Sequence, residues 1–481
     1  MRSMRSSPGV ARVGNRRALA VFFRSAVAGA ALALSSCAAL DQPAAPIPAV
    51  SRSGPIAFED ARGPVSPQKA GRIIRALERE SGDNGILQRH LAVEQALNQG
   101  SPLVLGNRLT LLQDGPRTYQ AMFAAIRAAT NNINLETYIF ESGEIGNEFA
   151  DLLLAKQASG VQVNLIYDSV GSLNTPREFF DRLRARGVRV VEFNPVNPAK
   201  VRDKRWLLNN RDHRKLLVVD GRIAFLGGIN ISEAYSTGSA SKSVKKQGTP
   251  PEPGWRDTQL QVEGPVVAEL QRDFIDTWAR QKGPPLAEAN YFPPLSAKGG
   301  EIVRAIASGA NASPSPIYLT LLSAIDHAER FVHLTNAYFA PDPKLIEALV
   351  SAAQRGVDVE LVLPGKTDSW LLYHAGRSHY AELLDAGVRI YERRNAVLHS
   401  KTASIDGVWA TVGSTNLDWR SYVHNDELNA VVLGPEFSRQ MEAMFARDRA
   451  ASKPIDAAQW RRRSPLQRTE EWLARRLEYW L

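Results

Sequence analysis

Two copies of one residue pattern carry the candidate chemistry of this 481-residue chain. Each copy has a histidine, a lysine two residues later, an aspartate after four more residues, and a glycine-containing turn that ends in asparagine. The chemically active members are His213, Lys215, Asp220 and Asn230 in the first copy, and His399, Lys401, Asp406, Ser414 and Asn416 in the second. An imidazole can attack phosphorus or protonate a leaving alkoxide, while ammonium and amide groups bind phosphate oxygens. The pattern therefore predicts phosphodiester chemistry that needs no metal and no cofactor.

The members of the pattern are predicted to have different roles. The histidines, lysines and aspartates form the catalytic set, although we expect Asp220 and Asp406 to brace the following turn rather than to touch substrate. Ser414 stands where the first copy has Gly228, so we expect the two half-sites to divide the work. The predicted phosphate-binding residues are Asn230, Ser414 and Asn416.

The same order of helix-like and strand-like segments surrounds each copy. Apolar runs such as residues 188–191 and 359–363 are typical of strands that helices cover on both faces. Because side chains two apart on a strand point the same way, the histidine and lysine of each copy are expected to share a face. We predict an α/β fold of two pseudo-symmetric α/β/α halves packed face to face, each a mixed sheet flanked by helices, at residues 105–295 and 296–455. The two halves are predicted to share one active site.

Residues 1–36 have the layout of an export signal. They contain six arginines and no acidic residue, and they end before Cys37, the only cysteine of the sequence. The layout resembles a bacterial lipoprotein signal, which implies cleavage before Cys37 and a lipid on that residue; an uncleaved membrane anchor is the alternative. Residues 37–104 are predicted to be a tether and lead-in, irregular from 38 to about 65. Since six of the nine net positive charges lie in the leader, the remaining chain lacks the basic excess of a nucleic-acid-binding protein.

The paired motifs resemble those of the phospholipase D superfamily, and further phrases are similar to its bacterial cardiolipin synthase branch. These phrases are Glu-Thr-Tyr-Ile-Phe at 136–140, Asp-His-Arg-Lys-Leu at 212–216, Gly-Pro-Val at 264–266, Trp-Arg-Ser at 419–421 and Asn-Asp-Glu at 425–427. The resemblance implies a phospho-histidine intermediate, which we assign to His213, and an acid/base role for His399. It also implies that a carboxylate after each motif orients an imidazole. Asp257 and Glu427 match, each seven residues before a Gly-Pro pair.

The resemblance implies a phosphatidyltransferase that passes a phosphatidyl group to a hydroxyl of phosphatidylglycerol, giving cardiolipin. A phospholipase D hydrolase that releases phosphatidic acid uses the same motifs, and a nuclease or a non-catalytic envelope lipoprotein are further alternatives. The expected partners are phospholipids and a membrane surface, not nucleic acid. Two half-sites in one chain remove the need for an oligomer. We expect the body to lie in the periplasm of a bacterial cell envelope, anchored through Cys37.

Two further segments combine basic and aromatic residues. Residues 456–481 form an arginine-rich and tryptophan-rich tail, which is typical of a segment lying on a membrane interface, with docking against the folded body as the alternative. The insertion at 194–211 suits contact with anionic headgroups, or is a solvated loop. A second insertion, 236–254, has the composition of a loop.

Overall fold

The computed structural model describes residues 56–82, 85–201, 206–239, 254–310, 314–367 and 369–480. These residues belong to a single structural unit. The predicted leader, Cys37 and most of the 236–254 insertion lie outside them. Within the described ranges, no helix combines the length and the apolar character needed to cross a bilayer.

An N-terminal segment precedes the two halves and packs on the second. Its elements are β1 (Phe58–Asp60), β2 (Gly63–Pro64), α1 (Pro67–Ser81), a π-helical turn (Ile86–His90) and α2 (Leu91–Leu97). Phe58 and Leu91 are buried in the core of the second half. Buried Glu94 accepts a hydrogen bond from the Trp409 indole at 2.9 Å and lies 2.9 Å from the Arg304 guanidinium. The prediction of an irregular stretch to about residue 65 is therefore wrong at its end, because ordered structure is present from residue 58.

The first half contains a seven-stranded mixed sheet with helices on its faces, and two further short strands, Arg211–Asp212 and Trp255–Arg256, that pair with the second half. Its strands are β3 (Leu103–Gln113), β4 (Asn132–Thr137), β5 (Gln162–Asp168), β6 (Arg189–Phe193), β7 (Arg211–Asp212), β8 (Leu216–Val219), β9 (Ile223–Gly227), β10 (Trp255–Arg256) and β11 (Thr258–Glu263), and its helices are α3 (Asp114–Ala128), α4 (Glu144–Ala158), α5 (Arg177–Ala185) and α6 (Val267–Arg280). Short 3-10 turns cover Pro198–Lys200 and Glu233–Tyr235. The sheet order is β3-β11-β9-β8-β4-β5-β6, antiparallel as far as β4 and parallel from β4 to β6.

The second half repeats this topology. Its strands are β12 (Glu301–Ser308), β13 (Phe331–Asn336), β14 (Phe339–Ala340), β15 (Asp358–Pro364), β16 (Arg389–Arg393), β17 (Val397–Leu398), β18 (Lys401–Ile405), β19 (Trp409–Gly413), β20 (Leu417–Asp418), β21 (Asn425–Leu433) and β22 (Ser452–Pro454), and its helices are α7 (Pro316–Asp326), α8 (Pro343–Gln354), α9 (Trp370–Arg377), α10 (Tyr380–Asp385), α11 (Trp419–Val423) and α12 (Pro435–Ala450). The order is β12-β21-β19-β18-β13-β15-β16, with β22 added at the β16 edge. The seven strands from β12 to β16 in this order each have a counterpart in the first sheet, whereas β22 has none.

The two halves meet in two ways. Strands β3 and β12 pair in antiparallel fashion, with Val104 opposite Val303, so the two sheets continue into each other. A shared apolar core also lies between them, in which Leu260 and Phe274 of the first half join Val412 of the second. The predicted pair of pseudo-symmetric α/β/α halves is confirmed, and the edge pairing is an addition that the sequence pattern did not predict.

The C-terminal tail folds onto the second half. It consists of α13 (Ala457–Arg461), α14 (Pro465–Arg475) and a 3-10 turn (Glu478–Trp480). Trp460 is buried 5.0 Å from the Tyr380 ring, measured between centroids. Ser464 and Gln467 form a reciprocal capping box that begins α14. One side of the tail therefore docks against the body, as the alternative prediction had it.

Candidate active site

Each motif histidine lies at the carboxyl end of the parallel strands, at the boundary between the halves. Two short parallel pairings hold them. Strand β7 pairs with the start of β21, and the His213 amide donates to the Asp426 carbonyl at 2.9 Å. Strand β17 pairs with β10, and the His399 amide donates to the Arg256 carbonyl at 2.8 Å. The backbone of each half therefore fixes the histidine of the other.

The orienting carboxylates follow the same crossed arrangement. His213 Nδ1 lies 3.0 Å from both carboxylate oxygens of Glu427, and His399 Nδ1 lies 2.7 Å from Asp257 Oδ2. Both carboxylates are fully buried. The carboxylate after each motif thus pairs with the histidine of the other motif, because β10 and β21 carry it across the boundary between the halves. A carboxylate on Nδ1 fixes the tautomer and leaves Nε2 as the reactive nitrogen.

The two lysines occupy equivalent positions beside the histidines. Lys215 Nζ and Lys401 Nζ each donate to the carbonyl of the histidine two residues earlier, at 2.5 Å. Both histidines lie just before the strands β8 and β18, so the motif begins outside the strand on which the prediction placed its histidine and lysine. The lysine instead turns back toward its own histidine.

Burial and mutual charge set the protonation states of the site. Burial lowers the pKa of His213 well below its ordinary value, and the charges of Lys215 and Lys401 lower it further. Burial and the charge of Lys401 also lower the pKa of His399, while Asp257 opposes them. Because groups from both halves act on each other's pKa, the two motifs form one electrostatic unit.

Glu427 and Lys215 form a closely balanced pair. Burial raises the pKa of Glu427 to about 7, against the opposing charge of Lys215. Burial lowers the pKa of Lys215 to about 7, against the opposing charge of Glu427. An anionic phosphate bound beside Lys215 would favour its charged form.

The motif aspartates lie at the far end of the hairpins that follow the histidines. Asp220 and Asp406 both have φ of 53°, and each is followed by a glycine with positive φ, as the tight turns β8–β9 and β18–β19 require. The Asp406 carboxylate accepts backbone hydrogen bonds from residues 329, 330 and 331 at 2.8–3.0 Å. Asp220 accepts in the same way from residues 130, 131 and 132 at 2.7–3.0 Å. Their carboxylates tie the hairpin to the start of the neighbouring strand, which is the bracing role expected of them, and a catalytic role for them stays a prediction.

Two of the predicted phosphate ligands form hydrogen bonds within the protein. The Asn230 side chain accepts from the Ile139 amide and donates to the Tyr235 hydroxyl, both at 3.1 Å. The Ser414 hydroxyl donates to Glu427 Oε2 at 2.5 Å and accepts from the Leu428 amide at 3.0 Å. These contacts hold both side chains in place beside the catalytic groups, and their phosphate-binding roles stay a prediction.

Asn416 differs from the other two predicted phosphate ligands. It is buried, and its side-chain oxygen has no hydrogen-bond partner within the described part of the chain. Of the three predicted ligands, Asn416 is therefore the one whose side chain has a buried polar atom without a hydrogen-bond partner in the described residues.

The glycine and serine that differ between the motifs are explained by the carboxylates behind them. A Cβ at Gly228 would lie 2.2 Å from Asp257 Oδ1, so a side chain there would displace the carboxylate. At the equivalent position, Ser414 has room and adds a hydrogen bond to Glu427. The carboxylate that orients His213 therefore accepts a hydrogen bond from a serine hydroxyl, whereas the carboxylate that orients His399 has a glycine at the equivalent position.

Aromatic side chains that motif reasoning missed line the site. Tyr138 lies 5.1 Å from the His213 ring, and Tyr338 lies 6.0 Å from the His399 ring. Tyr235 places its hydroxyl 3.2 Å from His399 Nδ1, and Trp255 packs 5.2 Å from the same ring. The internal repeat contained a signal for the first pair, since Tyr138 and Tyr338 follow the equivalent strands β4 and β13. No repeated signal marks Tyr235, whose counterpart in the second motif is a serine.

Comparisons with known proteins agree with this geometry. The sequence matches the family described as "Cardiolipin synthase, PLD-like domain" over residues 122–240 and 321–449, which contain the two motif copies. A cardiolipin synthase from Geobacillus thermodenitrificans is 34% identical over 75% of this chain and 70% of its own length. One from Listeria monocytogenes is 33% identical over 82% of this chain and 79% of its own length. A phosphatidylserine synthase structure from Haemophilus influenzae shares the fold with a TM-score of 0.58 at 14% identity, covering 81% of this chain and 96% of that one. The chain belongs to the cardiolipin synthase family of phospholipase D-like proteins.

Proposed function

We propose that the protein is a phosphatidyltransferase of the cardiolipin synthase type that works through a phospho-histidine intermediate. The observation that carries the proposal is the crossed pairing of His213 with Glu427 and of His399 with Asp257. It places two imidazoles with matched tautomers at one boundary, next to two lysines. Such an arrangement serves a double displacement at phosphorus, in which one imidazole is the nucleophile and the other moves the proton.

In the first displacement, Nε2 of His213 attacks the phosphorus of one phosphatidylglycerol. A P–N bond forms while the bond from phosphorus to the headgroup glycerol oxygen breaks. His399 gives its Nε2 proton to that oxygen, so glycerol leaves as a neutral alcohol. Burial lowers the pKa of His399, and its protonated form is favoured by the Asp257 carboxylate and, on binding, by the anionic phosphodiester of the substrate. The low pKa of His213 keeps this imidazole unprotonated at neutral pH, as a nucleophile requires. The ammonium groups of Lys215 and Lys401 stabilise charge on the non-bridging oxygens.

In the second displacement, a hydroxyl of another phosphatidylglycerol gives its proton to His399 Nε2 and attacks the same phosphorus. The P–N bond breaks, and cardiolipin is released. His213 ends neutral and His399 ends protonated, which restores the starting state. If water replaces the second lipid, the product is phosphatidic acid, and the enzyme is a hydrolase.

We also propose that the mature protein is a lipoprotein anchored through Cys37 with its body in the periplasm. The support is the arginine-rich leader, its short apolar run and the position of the only cysteine. This proposal concerns residues outside the described structure and is independent of the catalytic one. Labelling cells with an alkyne-modified fatty acid, with Cys37→Ser as the control, tests it: loss of label in the variant is expected, and label that persists in the variant would contradict it.

The catalytic proposal is tested by product identification. The full-length protein and a His213→Ala control are incubated with phosphatidylglycerol vesicles, and lipids and water-soluble products are identified by mass spectrometry. We expect cardiolipin and free glycerol in equal amounts with the wild-type protein and neither with the control. Phosphatidic acid as the sole lipid product would make the protein a hydrolase, and unchanged phosphatidylglycerol would overturn the assignment of this substrate.

A further inference from the structure

The exposed apolar side chains of this protein are unevenly distributed. Nine large ones are strongly exposed in the described ranges, and eight belong to segments that border the active site or to the C-terminal tail beside it. A concentration of exposed tryptophan and leucine on one side of a protein marks an interaction surface.

Two segments of the first half contribute to this side. Leu173, 67% exposed, lies in the turn after β5, and the hydroxyl of its neighbour Ser172 donates to the Tyr138 carbonyl. Trp206 and Leu208 are 52% and 40% exposed in the segment between β6 and β7, which leads directly into His213. Both segments follow the carboxyl ends of parallel strands, the same edge at which the catalytic histidines lie.

The second half contributes the equivalent segment and the tail. Trp370, 53% exposed, begins α9 after β15. Helix α9 packs against α14, where Ala375 and Ala474 are buried. The outer surface of α14 exposes Trp472 at 55% and Leu473 at 51%.

Helix α11 joins the two groups into one rim. The Arg420 guanidinium donates to Asn209 Oδ1 at 3.0 Å, next to Leu208. On the other side, the Trp419 ring lies 5.3 Å from Tyr479 of the tail. Arg420 also contributes to the low pKa of His213, so α11 borders the catalytic centre. We call Leu173, Trp206, Leu208, Trp370, Trp472 and Leu473 the docking rim.

Leu466 and Leu477 also belong to the tail, so Phe292 is the one of the nine that lies elsewhere, at the opposite end of the strands of the first sheet. The carbonyl of nearby Asn290 accepts a hydrogen bond from Asn132 Nδ2, where β4 begins. The carbonyl of Tyr291 would lie 2.4 Å from a Cβ at Gly221, in the hairpin turn remote from the histidines. Phe292 is 49% exposed, so it matches the rim residues in character but not in location.

The charges beside the rim are basic. Arg468, Arg475 and Arg476 of the tail are exposed, and the Arg476 guanidinium lies 5.2 Å from the centre of the Trp472 ring. Two acidic groups of the same segment form ion pairs, Glu471 with Arg463 of the tail and Glu478 with His379 of the body, which leaves Glu470 against the three exposed arginines. Tryptophan and leucine beside an excess of arginine are the composition of surfaces that lie on anionic lipid.

We propose that the docking rim and its arginines bind this protein to the surface of an anionic phospholipid bilayer, with the strand ends that carry the catalytic histidines facing the lipid. The proposal rests on the proposed function for the identity of the substrate, because an active site that faces the bilayer receives phospholipids without extracting them through water. It assigns the C-terminal tail a binding role in addition to its packing on α9.

A site-specific fluorophore tests this orientation without any need for turnover. The full-length chain with Cys37→Ser has no other cysteine, so Trp472→Cys or Phe292→Cys provides a single labelling position for an environment-sensitive nitrobenzoxadiazole dye. With vesicles of phosphatidylglycerol, we expect the dye at 472 to shift to the blue and to be quenched by brominated acyl chains. The dye at 292 is the matched control and should not respond.

The outcomes are distinguishable from one another. No response at 472, or equal responses at 472 and 292, would overturn the proposal. A shift at 472 that needs no vesicles and grows with protein concentration would assign the rim to a second copy of the chain and overturn it as well. A response at 472 without any lipid product would support the docking surface while the proposed reaction fails.

A kinetic comparison extends the test to function. In Trp370→Ser/Trp472→Ser/Leu473→Ser, we expect at least a tenfold loss of activity on phosphatidylglycerol vesicles. Activity on short-chain phosphatidylglycerol, dissolved as monomers, should stay within about twofold of wild type, and thermal unfolding serves as the folding control. Equal losses on both substrates, or undiminished activity on vesicles, would contradict the role of the rim.

Discussion

Replacing Glu427 by glutamine should disable His213 while leaving His399 in its normal state. Glu427 is fully buried, lies 3.0 Å from His213 Nδ1 through both oxygens, and accepts the Ser414 hydroxyl. Glutamine keeps the size of the side chain but removes the charge. It can also present its amide nitrogen to Nδ1, which moves the imidazole proton to Nε2 and removes the nucleophilic lone pair.

The expected loss follows from the contacts that change. Loss of a buried charge-assisted hydrogen bond costs about 1.5–3 kcal/mol, which corresponds to roughly 10- to 150-fold in rate. The tautomer change adds to this, since the same exchange of carboxylate for amide in a serine-protease triad lowers kcat by about 10⁴-fold. We therefore expect kcat of Glu427→Gln to fall by roughly 10²–10⁴-fold with little change in the stability of the fold.

The assay combines turnover with nitrogen-15 NMR of labelled histidines. In Glu427→Gln, the ring signals of His213 should change while those of His399 stay as in the wild type. Asp257→Asn is the reciprocal control and should change only His399, which it contacts at 2.7 Å. Perturbation of His399 by Glu427→Gln, or activity within threefold of wild type, would refute the crossed pairing.

The remaining predictions concern pH, packing and stability. Activity needs ionised Glu427 and protonated Lys215, both with a pKa of about 7, so kcat/KM should peak near neutral pH and fall on either side. Bound anionic substrate raises both pKa values, so the kcat profile should lie at higher pH; coincident profiles in initial-rate measurements would contradict this. Gly228→Ala should lower kcat by about 10²-fold, because its Cβ would lie 2.2 Å from Asp257 Oδ1; wild-type rates would show that the carboxylate need not be held there. Asp406→Ala should lower the free energy of unfolding by roughly 2–5 kcal/mol, since three backbone amides lose their acceptor. Urea unfolding measures this loss, and unchanged stability with abolished activity would return Asp406 to a catalytic role.

The repeat in the sequence predicted the two halves, because the same strand and helix order carries each motif at the same strand ends. It could not predict which carboxylate serves which histidine. That choice depends on the two-residue pairings of β7 with β21 and of β17 with β10. Pairings so short leave no periodic pattern, and their partners are more than 100 residues apart in the chain.

Polar residues of the motif show the other limit of sequence reasoning. Asn230 and Ser414 have the chemistry to bind phosphate, and the sequence does not reveal that they also form hydrogen bonds with Tyr235 and Glu427. The sequence pattern also does not predict that the N-terminal segment is folded, because its structure depends on contacts such as that between Glu94 and Trp409, which are 315 residues apart. Local patterns identified the reactive groups, whereas the supporting contacts arise only from the tertiary fold.

The central claim is that two motifs act as one double-displacement site with divided roles, and trapping the covalent intermediate tests it most directly. The wild-type protein is mixed with phosphatidylglycerol, quenched under alkaline conditions within milliseconds to seconds, digested and mapped by mass spectrometry. The account predicts a phosphatidyl group on His213 in the wild type and none in Glu427→Gln or in His399→Ala, which lacks the acid for the first displacement, over the same interval. A modified residue other than His213, or transfer to product with no protein-bound phosphorus at any time, would contradict it.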